Sequence, residues 1–160
     1  MLAVVYGSNT GNTKEVAEIL AQKLDAELIN IADVTPEELN KYDNLVIGGS
    51  TWGSGDLQDD VDAFDFSKLD VKGKKIALFG LGDSSSYSDT FCNAMGTLYE
   101  ILKEKGANFV GSVDSGDYEF DESSAVVDGK FVGLAIDADN ESEKTEQRVN
   151  DWVEQIKGEF

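Results

Sequence analysis

The chain has 160 residues, enough for one ordinary domain, and 41% of them are hydrophobic, so a packed core is expected rather than disorder. A net charge of −19 excludes nucleic acid and anionic membranes as partners, because cationic side chains lead such binding. With no histidine and a single cysteine, histidine bases, Ser-His-Asp catalysis, an intrachain disulfide and ordinary zinc sites are excluded too.

In chain order, LAVVY (2–6) reads as a short buried strand ending in GSNTGNT (7–13). It lacks the length and basic flank of a signal peptide. Val16, Leu20 and Leu24 then recur at helical spacing up to Asp25. ELINI (27–31) reads as a second strand, and TPEELNKY (35–42) as a short helix capped by Thr35 with Pro36 at its first position. NLVIGG (44–49) is a third strand, followed by the loop TWGSGDLQDD (51–60). KKIALFGLG (74–82) is a fourth, with the loop GDSSSYSD (82–89) after it. Phe91, Met95, Leu98 and Leu102 next share one helical face.

Beyond NFVGSV (108–113) the pattern changes: Asp114 to Asp128 is acidic and turn-like, and FVGLAID (131–137) is apolar again. The last helix carries Val149, Trp152, Val153 and Ile156 on one face, which makes Trp152 a core residue. No repeat or linker interrupts the chain, so residues 1–160 read as one domain. No stretch approaches the roughly 20 apolar residues of a membrane span. The lone Cys92 suits a reducing cytoplasm.

Strands apolar on both sides, alternating with amphipathic helices, argue for a parallel α/β sandwich. Such sheets bind ligands outside the carboxyl ends of their strands, where the strand order reverses. Three loops rich in Gly, Ser, Thr and Asp should therefore meet at one site. GSNTGNT leads into a helix, whose first N–H groups and dipole suit a phosphate. It matches neither GxxxxGK[ST] nor GxGxxG, and a plain helix cap is the alternative for this loop alone. Trp52 and Tyr87 occupy matching places in the other two loops. Aromatic faces stack on flat conjugated rings, so a phosphate loop with two aromatics describes a nucleotide-like cofactor.

SNTGNT, STWGSGDLQ and GDSSSYSDTFC, in this order, resemble the phosphate loop and two flavin loops of the flavodoxins. DYEFDESSAVVDGKFVGLAIDADN (117–140) is similar to the long-chain members. The resemblance implies a flavodoxin-like doubly wound three-layer sandwich. Its five-stranded parallel sheet has order 2-1-3-4-5, the last strand is interrupted by an insertion, and FMN lies at the switch point. Ser8, Asn9, Thr10, Asn12 and Thr13, with the Gly11 backbone, would hold the FMN phosphate. Some long-chain members have lysine where Asn12 stands, which leaves Lys14 as the nearby cation. Trp52 would lie on the inner flavin face and Tyr87 on the outer one. The loop backbone from Gly82, with Asp83, would meet the pyrimidine edge. Ser50, Thr51, Gly53, Ser54, Gly55, Leu57, Asp89, Phe91 and Cys92 complete the implied contact set. Cys92 itself reads as a small buried residue rather than a redox thiol.

The function so implied is a low-potential one-electron carrier, not an enzyme, cycling FMN between semiquinone and hydroquinone. The Gly53–Ser54 peptide would flip on reduction, a movement glycine permits because it adopts positive φ without a Cβ penalty. Asp56, Asp59, Asp60, Asp62, Asp83 and Asp89 surround the aromatics in sequence. A carboxylate about 12 Å from the flavin contributes roughly 0.3–0.4 kcal/mol at water-like dielectric. Four to six of them would lower the second potential by about 50–100 mV. The same acids would dock basic-surfaced redox partners of a monomeric, cytoplasmic carrier. An FMN-dependent NAD(P)H:quinone or flavin reductase is the alternative on this fold, but it needs room over the ring and basic residues for the nicotinamide cofactor. A cofactor-free binding module is a third reading.

Overall fold

The computed structural model describes residues 2–7, 11–52 and 56–160, apart from the side chain of Trp52. Strand β1 (Leu2–Gly7) leads into α1 (Asn12–Leu24), β2 (Glu27–Asn30), α2 (Pro36–Leu39), β3 (Asn44–Trp52) and a two-residue β4 (Asp56–Leu57). Then come α3 (Asp59–Ala63), β5 (Lys75–Leu81), α4 (Asn93–Glu104), β6 (Asn108–Val110), β7 (Val113–Asp114) and β8 (Val126–Val127). The chain continues through β9 (Lys130–Phe131), β10 (Leu134–Ile136) and α5 (Ser142–Ile156).

The parallel sheet runs β2-β1-β3-β5, and its fifth position is shared by two strands. β6 pairs with Lys75 to Ala77 of β5, and β10 pairs with Phe79 to Leu81. This is the order 2-1-3-4-5 with the last strand interrupted, as the sequence resemblance implied. Successive residues of each strand face opposite sides. On one side Ala3, Val5, Leu45, Ile47, Ile76 and Leu78 pack with Met95, Leu98 and Leu102 of α4. On the other, Val4, Val46, Ala77 and Phe79 pack with Leu20 of α1 and with Val149, Trp152 and Ile156 of α5. Both faces are covered, which is why these strands read as unbroken apolar runs.

Local chemistry sets the boundaries. Thr35 Oγ1 accepts from the Glu38 N–H at 3.2 Å while the Glu38 carboxylate accepts from the Thr35 N–H at 3.4 Å, the reciprocal cap that starts α2. The second strand ends one residue earlier than its apolar pattern: Asn30 Oδ1 accepts from the Ala32 N–H at 2.9 Å and opens a 3-10 turn at Ile31. The NFVGSV run also breaks early, because Gly111 has φ +86 and ends β6 at Val110. There the Trp152 indole N–H donates to the Gly111 carbonyl at 2.8 Å, and Trp152 is 1% exposed.

The insertion is more ordered than its acidic composition suggests. β7, β9 and β8 form a small antiparallel sheet, and Tyr118, Phe120 and Phe131 surround Phe91 with ring centroids 5.6–6.2 Å from it. Arg148 of α5 stacks on Tyr118 at 3.9 Å and pairs with Glu141 at 3.0 Å, tying the insertion to the last helix.

A Cβ at Gly111 would lie 2.7 Å from Trp152 Nε1, whereas one at Gly73 (φ +75) would meet nothing within 4 Å. Gly111→Ala should therefore cost about 2–4 kcal/mol in urea unfolding, combining the backbone penalty with overpacking. Gly73→Ala should cost only about 1–2 kcal/mol.

Candidate functional site

Register levels the strand ends. Gly7 of β1 pairs with Gly49 of β3, and Ser50 pairs with Leu81 of β5, so three strands deliver their loops to one edge. Strand order reverses between β1 and β3. A pocket of about 240 Å³ opens there, lined by Asn12 and Thr13 from the first loop, Ser50 and Thr51 from the second, and Leu81, Gly82, Asp83 and Tyr87 from the third. A larger hollow of about 430 Å³ beside Tyr99, Phe109 and Val127 shares no lining residue with these loops; the smaller one is where all three loops meet.

At the start of α1, Gly11 takes the left-handed conformation, φ 92 and ψ −19, and nothing lies within 4 Å of where its Cβ would sit. Two residues on, Thr13 is fully buried against the pocket, and its hydroxyl oxygen has no hydrogen-bond partner among the described residues. A buried hydroxyl left this way costs on the order of 1–3 kcal/mol. An anion at the helix N-terminus would accept from it and from the N–H groups of the first turn. Lys14 is drawn along the helix, 4.0 Å from Glu18, and does not line the pocket.

The second loop is a hairpin that the sequence did not suggest. Thr51 pairs with Leu57 and Trp52 with Asp56, so the Trp52 backbone is held in a two-residue ladder. The Thr51 hydroxyl oxygen accepts from the Ala94 N–H at 3.1 Å, tying this loop to the start of α4. In the third loop, Asp83 Oδ1 accepts from the N–H groups of Ser85 (3.1 Å) and Ser86 (2.9 Å) and from Asn140 Nδ2 (2.7 Å). These bonds, the Ser86 N–H first and the Asn140 amide second, hold its carboxyl below the ordinary range. Tyr87 is 44% exposed, a large aromatic held at the pocket mouth with little protein over it.

A fourth segment joins the site. Ala138 and Asp139, just past β10, complete the pocket wall. Desolvation, then the charges of Asp83 and Asp137, push the Asp139 carboxyl up. Among the described residues, the lining holds two carboxylates and no lysine or arginine.

The structure thus brings together Asn12, Thr13, Ser50, Thr51, Gly82, Asp83 and Tyr87, with Gly11 next to them. Ser8, Asn9, Thr10, Gly53, Ser54, Gly55 and the Trp52 side chain lie outside the described residues. Leu57 is half-buried against the core and Asp89 is exposed, and neither lines the pocket. The side chains of Phe91 and Cys92 do not line the pocket: both are buried, at 1% and 0% exposure, as the reading of Cys92 as a small buried residue expected. Phe91 is claimed by the aromatics of the insertion, and Cys92 Sγ lies 3.6 Å from the Gly80 carbonyl, its thiol pushed up by burial. α4 accordingly starts at Asn93, after Cys92 in the left-handed region. The missed wall had a readable signal, since AID runs into the polar DADN just as the other strands run into their loops.

The family model described as Flavodoxin matches residues 4–152. Flavodoxin 1 of Azotobacter vinelandii is 43% identical, covering 99% of this chain and 97% of that protein. A flavodoxin of a Nostoc species is 40% identical over 99% of this chain and 96% of its own length. Among solved structures, Fusobacterium nucleatum flavodoxin bound to flavin mononucleotide superposes with a TM-score of 0.92 at 28% identity, covering 99% and 98% of the two chains. By fold, by loop positions and by sequence along nearly its whole length, this chain belongs to the flavodoxin family.

Proposed function

We propose that the 240 Å³ pocket seats FMN, with its phosphate at the N-terminus of α1 and its ring beside Tyr87. As a flavodoxin-family protein the chain is an FMN electron carrier, not an enzyme. The buried Thr13 hydroxyl, unpartnered among the described residues, carries the reading, because it can donate to an acceptor where the phosphate would sit. Asn12, Thr13 and the first-turn N–H groups would hold that phosphate, joined by Ser8, Asn9 and Thr10. Ser50, Thr51 and Gly82 would border the ring, Trp52 would cover its inner face, and Gly53 to Gly55 would follow its edge. When bound, FMN supplies the redox chemistry. The protein excludes water with Tyr87 and surrounds the site with Asp83 and Asp139, which oppose added negative charge and so keep electrons at high energy.

The carrier works with redox partners, and we infer that their docking surfaces are basic, in keeping with the net charge of −19. Residues 1–160 form one domain and act as a monomer. A cytoplasmic location fits the single buried cysteine. No helix among the described residues is long and apolar enough to cross a membrane. A nicotinamide-dependent reductase is not favoured, since no cation lines the pocket among the described residues.

Thr13→Val should weaken FMN binding by about tenfold or more, the worth of one hydrogen bond to a charged group, when followed by quenching of flavin fluorescence. The apoprotein should melt no lower than wild type, because a buried unpaired hydroxyl has been removed. Unchanged affinity would contradict the phosphate assignment. Electron transfer to a basic redox partner should slow as ionic strength rises, and a rate independent of salt would argue against acidic docking.

A further inference from the structure

Asp137 is fully buried at the end of β10, and no ion pair to it occurs among the described residues. Isolating a carboxylate from water costs several kcal/mol unless its lone pairs are satisfied. Here donors satisfy them. Oδ2 accepts from the Ser84 N–H at 3.3 Å and from the Ser84 hydroxyl. Oδ1 accepts from the Asn140 N–H at 3.0 Å, and the Asn140 side-chain amide donates to both oxygens at 3.1 and 3.2 Å. The same amide reaches Asp83 at 2.7 Å, and the Asp83 carbonyl accepts from the Tyr87 N–H at 2.9 Å. The Gly82 N–H meanwhile donates to the Ile136 carbonyl at 3.0 Å. One buried anion therefore joins two pocket walls, the loop carrying Tyr87 and the segment carrying Ala138 and Asp139.

We propose that Asp137 is a positioning residue for the flavin: its acceptor-only carboxylate locks Ser84 and Asn140 together and so fixes the Tyr87 loop before the cofactor arrives. The proposal rests on the FMN reading of the pocket. Asparagine cannot replace Asp137, since its amide offers one acceptor oxygen and turns an N–H₂ group towards donors. Preorganising the loop lowers the ordering cost of binding, and the buried charge adds to the field that resists reduction.

The test measures FMN affinity by fluorescence quenching for wild type, Asp137→Asn, Ser84→Ala and Ser84→Thr, with the visible absorption band of bound flavin and the melting temperature of each apoprotein. Asp137→Asn should weaken FMN binding by about tenfold or more and shift the flavin band, as one charge-assisted contact is lost and the ring beside Tyr87 loosens. Ser84→Ala should weaken binding by about threefold to tenfold, and Ser84→Thr, which restores the hydroxyl, should return it towards wild type. If Asp137→Asn does not fold, the Ser84 pair decides alone. Lower melting temperatures with unchanged affinity and band would overturn the positioning role, leaving Asp137 a stabilising residue only. A wild-type protein that takes up no FMN would instead overturn the reading of the pocket itself.

Discussion

A parallel strand covered by helices on both faces has no room for polar side chains until it leaves the sheet. Every group able to hold a ligand is therefore pushed into the loops at the strand ends, and register decides whether those loops meet. Here Gly7, Gly49 and Leu81 stand nearly level across three neighbouring strands, so their loops converge, and β10 brings a fourth. The pocket and its aromatic mouth both follow from that alignment.

The second constraint is charge. A chain of net charge −19 that binds a phosphate must hold the anion at close range against its own field. On the proposed reading, the described lining would do so without a cation, through the dipole and N–H groups of α1 and the hydroxyl of Thr13. Such contacts act over a few ångströms, while carboxylates act over longer distances. Short-range donors can thus bind the phosphate firmly while the surrounding acids penalise electrons added to the ring. Tight binding and low potential are compatible because they rest on interactions of different range.

The fold was largely legible in the sequence, since apolar runs and helical spacing report burial directly, as with Val149, Trp152 and Ile156 of α5. The described pocket lining was legible where residue type alone marks a loop, as at Asn12 and Thr13 and around Tyr87. What escaped depends on contacts between distant segments. The β3–β4 hairpin at Thr51 and Leu57 is too short to leave a periodic pattern. Phe91 and Cys92 sit beside a loop motif yet turn inward, because the aromatics of the insertion claim Phe91 and a left-handed backbone turns the chain at Cys92. Asp137 closes the apolar run FVGLAID, and only burial sets it apart from the chain's other acids.

The central claim is that this pocket holds FMN for transfer of electrons one at a time. An anaerobic reductive titration of the FMN-loaded protein, followed by visible absorbance, tests it most directly. The account predicts two separate one-electron steps, with a new long-wavelength band that rises in the first and disappears in the second. Bleaching in a single two-electron step, with turnover of NAD(P)H by the protein alone, would contradict it.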